Sequence, residues 1–237
     1  MIAVVLPAAG AGERFKSKPT DLPKQFLGLA GRPIYLWALS TFAAHNSIDK
    51  IVVVVPDGSL DTVRVEISNV LPKYAHKISV TAGGSTRQHS VHNGLEHLSA
   101  LDAHPDYVLV HDAARPLITS ALIDSVILSV TKHGASTVAM QVTDTIKRAK
   151  DNIVGDTLDR SELVQIQTPQ AGRFDWMLDA HRKARAENFS TTDDSTILEY
   201  GGHKVHIVAG SPYNLKITNP EDLLLCHSLA QLIDKSS

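Results

Sequence analysis

The sequence predicts an α/β protein built on a mainly parallel β-sheet with helices on both faces. Two features predict it. Short β-branched runs alternate with stretches of helical apolar spacing along most of the chain, and several of those runs are apolar at nearly every position. Alternation implies strand–helix–strand units, and continuous apolarity implies strands covered on both faces. The chain has 237 residues, 43% of them hydrophobic, enough for one substantial core. A single domain spanning 1–237 is expected.

The elements follow in order. Ile2–Leu6 reads as the first strand and leads into a small-residue loop. Ile34–His45 carries apolar residues at helical spacing and precedes a strand at Ile51–Val55. Helix Leu60–Val70, strand Ile78–Thr81, helix Arg87–Leu101 and strand Tyr107–Val110 repeat the unit, followed by helix Ser120–His133 and strand Thr137–Val142. Further on stand a helix at Phe174–Glu187 and a strand at Val205–Val208. Asn219-Pro220-Glu221-Asp222 is a helix start: Asn as cap, Pro at the first position, and acids at the positive end of the dipole. The last helix is expected over Glu221–Ile233. Asp144–Gln170 breaks the alternation. It is polar, and Asp144–Lys147 is expected to pair with Val154–Leu158 around Lys150-Asp151-Asn152 as a protruding hairpin arm.

Charge and composition exclude several classes. The 23 basic and 25 acidic residues leave a net charge of −2, so no global field favours nucleic acid or an anionic membrane. Cys226 is the single cysteine, which rules out an internal disulfide and a four-cysteine zinc site. No apolar run approaches the roughly 20 residues of a membrane helix, and the N-terminus lacks the basic start of a signal peptide. A soluble, cytoplasmic protein is expected.

The chemistry is expected beyond the carboxyl ends of the strands. Pro7-Ala8-Ala9-Gly10-Ala11-Gly12-Glu13-Arg14 follows the first strand, and its small residues let backbone N–H groups approach a phosphate. Phe15 stands where a dinucleotide fingerprint needs a third Gly, and the Gly-Lys-Ser/Thr of a P-loop is absent. Alone, the loop fits either a phosphate cradle or an ordinary turn. Arg14 and Lys24, an Arg fork and a Lys point charge, suit neutralisation of a transferring phosphoryl group; a solvated basic loop is the alternative. Asp112 follows Tyr107–Val110, where an acid can hold Mg²⁺ or a sugar hydroxyl, or simply cap a turn.

Several motifs in order carry a family resemblance. They are Pro7-Ala8-Ala9-Gly10-x-Gly12-x-Arg14, Pro23-Lys24-Gln25, Gly83-Gly84-x-x-Arg87-x-x-Ser90-Val91-x-Asn93-Gly94 and His111-Asp112-Ala113-Ala114-Arg115-Pro116. Asp144-Thr145-x-Lys147, Asp159-Arg160, Gln167-Thr168-Pro169-Gln170, Thr192-Asp193-Asp194 and Lys216-Ile217-Thr218-x-Pro220-Glu221-Asp222 continue the series. Together they resemble the 2-C-methyl-D-erythritol 4-phosphate cytidylyltransferase family over essentially the whole chain.

The resemblance implies a Rossmann-like nucleotidyltransferase fold with the arm 144–170 reaching across a homodimer. It implies that Arg14 and Lys24 are catalytic, gripping the triphosphate, and that Ala8, Ala9, Gly10, Gly84, Ser85, Ser90, Asp112 and Ala113 bind CTP. Ser85 stands where the family commonly has an acid, and helix packing is the plain alternative for Ser90. Asp112, Arg115, Thr145, Arg160, Thr192 and Lys216 would bind the sugar phosphate, with Asp112 also the candidate ligand for a Mg²⁺ cofactor. The expected partners are CTP and a small sugar-alcohol phosphate. Ribitol 5-phosphate is the alternative acceptor, and a non-catalytic nucleotide-binding regulator the alternative class.

Other signals carry less. His89 and His92 lie three apart on a predicted helix without the flanking Glu or third ligand of a zinc site. His203 and His206 fall at odd spacing in a predicted strand, so they would face opposite ways. Cys226, Trp37 and Trp176 read as packing residues of their helices.

Overall fold

The computed structural model describes residues 1–10 and 24–234. Its first strand, β1 (Ile2–Pro7), is followed after residue 24 by a small hairpin, β2 (Gly28–Leu29) and β3 (Arg32–Pro33), that the sequence reading lacks. The units α1 (Ile34–Ala44), β4 (Lys50–Val55), α2 (Leu60–Val70), β5 (Ile78–Ala82), α3 (Arg87–Ser99) and β6 (Tyr107–Val110) then match the expected alternation within a residue or two. Helix α4 (Ser120–His133) and strand β7 (Ala135–Gln141) continue it.

Both faces of these strands are covered, which is why their sequences are apolar throughout. On β1, Val4 and Leu6 join the core beneath α1 and α4, while Ala3 and Val5 join the core beneath α3. On β4, Ile51, Val53 and Val55 face the first core, and Val52 and Val54 the second. Helix α3 crosses β1 and β4 at Gly94, where a Cβ would stand 2.6 Å from a Val5 methyl and 3.0 Å from a Val54 methyl. Only hydrogen fits there, and α3 sits close to the sheet as a result.

The polar stretch 144–170 divides in two. Strands β8 (Lys147–Lys150) and β9 (Ile153–Thr157) form the hairpin, turning at Asp151 and Asn152, both at positive φ as a two-residue hairpin turn requires. The remainder corrects the expected arm boundary. Val164–Arg173 is a long strand, β10, of the central sheet, antiparallel between β6 and β7. The stretch reads as polar, yet its Gln170 is fully buried: Oε1 accepts from the Asp194 and Ser195 amides and Nε2 donates to Asp193 Oδ2 at 3.0 Å. Local polarity was a misleading guide because the partners are distant in sequence.

Helix α5 (Phe174–Ala186), the short α6 (Asp194–Tyr200, also unpredicted), edge strand β11 (His206–Ala209) and α7 (Pro220–Asp234) complete the chain. The seven strands run in the order β11-β7-β10-β6-β1-β4-β5, parallel to one another except for β10. At the start of α7, Asn219 Oδ1 accepts from the Asp222 amide at 2.8 Å, the expected cap. His203 lies before β11 and stacks on Trp176, whereas His206 stacks on His133, so they do not share a strand. Cys226 and Trp37 pack together in a satellite core. No described helix is long and apolar enough to cross a membrane.

Gly134 ends α4 at φ +85°, and a Cβ there would stand 2.5 Å from the Trp176 ring. Gly134→Ala should therefore lose about 1–2 kcal/mol from left-handed strain alone, read as a lower urea midpoint with an unchanged m-value.

Candidate active site

The carboxyl ends of β1, β4, β5 and β6 deliver their loops to one edge. The Ala8 amide donates to Val54 O at 2.7 Å and the Gly83 amide to Val55 O at 2.8 Å, so each loop is an extension of its strand. They touch: a Cβ on Gly83 would stand 2.3 Å from the Ala9 Cβ and 2.9 Å from Ser90 Oγ. Ser90 Oγ in turn accepts from the Gly84 amide at 3.1 Å and donates to Thr86 O at 2.8 Å. Ser90 is thus buried and shapes the Gly83-Gly84 turn, while Ser85 is exposed and meets His89 Nδ1 at 2.9 Å. The buried Gln25 closes the opposite side, its Nε2 donating to Ala8 O at 2.6 Å and to Gly10 O at 3.0 Å. That ties Lys24 to the loop of Ala8, Ala9 and Gly10. Lys24 Nζ also donates to Ile217 O at 2.6 Å, beside Lys216. Arg14 lies outside the described residues.

Beyond β6 sits a buried charge cluster. Arg87 Nε contacts Asp112 Oδ1 at 2.7 Å, and Lys216 Nζ contacts Oδ2 at 2.6 Å, with Arg115 Nε 4.0 Å from the same oxygen. Burial opposes ionisation of Asp112, but Arg87 and Lys216 overcome it and hold the carboxyl far below the usual carboxylate range. Burial likewise lowers the Arg115 pKa, partly offset by Asp112. Arg87 reaches further, contacting Asp194 Oδ2 at 2.8 Å, while His181 meets Asp194 Oδ1 at 3.2 Å. Burial disfavours the Asp194 anion too, and Arg87 and then His181 restore it.

The loop carrying Asp112 is itself braced. Because β10 runs antiparallel to β6, Thr168 arrives beside that loop. Its hydroxyl accepts from the Asp112 amide at 3.1 Å and lies 3.0 Å from His111 Nδ1, while His111 Nε2 lies 3.0 Å from Arg115 O. The carbonyl requires Nε2 to carry the proton, leaving Nδ1 to accept from Thr168. Asn214 Nδ2 donates to Thr168 O at 2.7 Å, Arg115 Nη1 donates to Asn214 O at 2.7 Å, and the Ile217 amide donates to Ala114 O at 2.8 Å. These bonds place Ala113, Arg115 and Lys216 around Asp112.

Not every expected residue joins this cluster. Thr192 is exposed, two residues before the buried Asp194. Thr145 and Arg160 are exposed at the base of the hairpin, where Arg160 Nη1 donates to Thr143 O at 2.6 Å. Among the described residues, no hydrogen bond or ion pair links either of them to Asp112. The metal role considered for Asp112 does not fit. Both of its oxygens already face cations, which repel a further one. No group of three His, Cys, Asp or Glu side chains among the described residues is arranged to hold a metal. Arg87, in sequence only a motif residue, is the cluster's central cation. Its position three residues after Gly84 was a signal, but its two carboxylate partners were not visible in sequence.

Ala8, Ala9 and Gly10 beside Lys24, with a cation-rich cluster at the carboxyl edge of a mainly parallel sheet, define a protein of the α/β nucleotidyltransferase class. Residues 2–231 match the family model for 2-C-methyl-D-erythritol 4-phosphate cytidylyltransferase. The cytidylyltransferase of that name from Clostridium novyi is 42% identical over 233 residues, covering 97% of this chain and 96% of that protein. Its counterpart from Syntrophotalea carbinolica is 40% identical over 228 residues, covering 96% and 95%. The crystal structure of the Thermus thermophilus enzyme aligns with a TM-score of 0.78 at 30% identity, covering 96% of this chain and 98% of that one. The 4-diphosphocytidyl-2C-methyl-D-erythritol synthase from Anaerococcus prevotii aligns with a TM-score of 0.81 at 31% identity, covering 97% and 96%. The chain belongs to the 2-C-methyl-D-erythritol 4-phosphate cytidylyltransferase family.

Burial pushes His111 down to about 4 from an ordinary 6.5. As pH falls, the unfolded chain takes up that proton first, so stability is lost from about 6.5 down towards 4. In urea titrations between pH ~7 and ~5, His111→Gln should show a smaller acid loss than the parent protein. An equal loss would show that His111 is not the group responsible.

Proposed function

We propose that this protein transfers the cytidylyl group of CTP to 2-C-methyl-D-erythritol 4-phosphate, releasing pyrophosphate and forming 4-diphosphocytidyl-2-C-methyl-D-erythritol. The match to the family model along residues 2–231 is the observation that carries this reading. An oxygen of the acceptor phosphate attacks the α-phosphorus in line as the bond to the β-phosphate oxygen breaks. A phosphate monoester is largely ionised near neutral pH (second pKa about 6), so no protein base is required. Catalysis then consists of positioning and charge neutralisation.

In this reading Arg14 and Lys24 grip the triphosphate, and Ala8, Ala9, Gly10, Gly84, Ser85, Ser90 and Ala113 surround the nucleoside. The buried Ser90 and the close approach of Ala9 to Gly83 support a tight pocket suited to a small base. Asp112 acts as an organiser, holding Lys216 and Arg115 where an acceptor phosphate would meet them, and Thr192 lies two residues before Asp194, which Arg87 also contacts. Mg²⁺ would arrive with the CTP phosphates rather than be held by Asp112, and would neutralise phosphate charge.

Thr145 and Arg160 would serve the site of a second subunit. Their exposure at the base of the hairpin, where the Arg160 side chain bonds local backbone at Thr143 O, supports this. So do Ile153 and Val154, which stand 71% and 70% exposed on an otherwise charged hairpin and would be covered in a homodimer.

Purified protein with CTP and Mg²⁺ should release pyrophosphate faster with methylerythritol phosphate than with ribitol 5-phosphate. A preference for ribitol 5-phosphate would overturn the acceptor assignment, and no release with either would favour the regulatory reading. In a heterodimer of one Arg160→Ala subunit and one Lys24→Ala subunit, about half the activity should survive. Shared sites concentrate both defects in one site, whereas near-zero activity would mean that Arg160 serves its own subunit. Lys24→Ala homodimers should lose about a hundredfold or more in kcat.

A further inference from the structure

We propose that Gln88 is a positioning residue for the acceptor site, acting through the loop that presents Thr192. This rests on the placement of Thr192 in the acceptor site under the reading above. Gln88 has no chemistry of its own to offer, yet it is buried at the first turn of α3. Both ends of its amide bond to main chain about a hundred residues away: Nε2 donates to Phe189 O at 2.9 Å, and Oε1 accepts from the Thr191 amide at 3.0 Å.

The segment it holds needs holding. Residues 187–193 connect α5 to α6 without regular structure, and Asn188 takes a positive φ of 54°. Phe189 stacks on Tyr200 at 4.0 Å and anchors one end. Gln170 anchors the other end through Asp193 and the Asp194 amide, and Arg87 adds its ion pair to Asp194. Between these anchors, the Gln88 amide supplies two hydrogen bonds to the backbone at Phe189 and Thr191, directly before the exposed Thr192. The same first turn of α3 carries Arg87 against Asp112. One turn of helix therefore sets the position of Thr192 relative to the Asp112 cluster.

An amide bridging two backbone groups can be removed without changing much volume. Gln88→Met keeps the shape and removes both bonds, and Gln88→Glu keeps the acceptor but loses the donor. The Gln88→Met variant should raise KM for the acceptor phosphate about tenfold, leaving KM for CTP within about twofold. Gln88→Glu, whose second carboxylate oxygen would face Phe189 O, should raise the acceptor KM at least as far. Thr192→Ala, measured alongside, separates two kinds of failure. If Thr192→Ala leaves the acceptor KM unchanged, the placement of Thr192 is wrong and the inference falls with it. If Thr192→Ala raises that KM and Gln88→Met does not, the placement stands and the role of Gln88 is refuted. If both raise it, the double variant should be no worse than about twofold beyond the worse single one. Fully multiplicative effects would show that Gln88 does not act through Thr192. A rise in both KM values together would mark a general structural defect and also refute the proposal. Thermal midpoints of all the variants show whether each is folded at the assay temperature.

Discussion

A carboxylate taken out of water must be compensated, and around Asp112 this constraint organises much of the surrounding structure. Arg87 meets one of its oxygens, and Lys216 and Arg115 approach the other, each from a different part of the chain. The first turn of α3, the loop after β6 and the segment before α7 converge because their charges do. Held at one point, Arg87, Lys216 and Arg115 bring three positive charges to Asp112 at the edge of the sheet.

That convergence needs a rigid frame, and β10 provides it. It is the one antiparallel strand of the large sheet, and its direction carries Gln167, Thr168 and Gln170 to the active edge. Each of these polar side chains is buried with partners in a different loop. Gln167 reaches Ser211 and Asn214, Thr168 reaches Asp112 and His111, and Gln170 reaches the start of α6. Directional hydrogen bonds of this kind give the loops defined positions that apolar contacts, being non-directional, do not impose. The sheet's apolar residues hold the fold together, and β10's polar residues set the geometry of its edge.

The hairpin β8–β9 follows a different logic. It leaves the body of the molecule, forms its own two-stranded sheet, and exposes Ile153 and Val154 among charged neighbours. A two-stranded ribbon is marginal by itself, and an apolar pair at its far end is consistent with a surface built to be covered. Thr145 and Arg160 stand exposed at its base.

The sequence by itself determined the parallel units and the family. Strands such as Ile51–Val55 are apolar at every position because both faces are buried, and the Asn219 cap is a local bond between neighbours. Such signals depend on residues a few positions apart and can be read from them directly. The loop of Ala8, Ala9 and Gly10 and the position of Asp112 after β6 were legible for the same reason. Tertiary structure decided the rest. It turned a polar stretch into the central strand β10, withdrew Asp112 from metal binding by surrounding it with cations, and made Arg87 and Gln88 the links between distant loops. Apart from Arg115, three residues from Asp112, the partners lie tens of residues or more away, and a side chain's charge or polarity does not say which distant group will satisfy it.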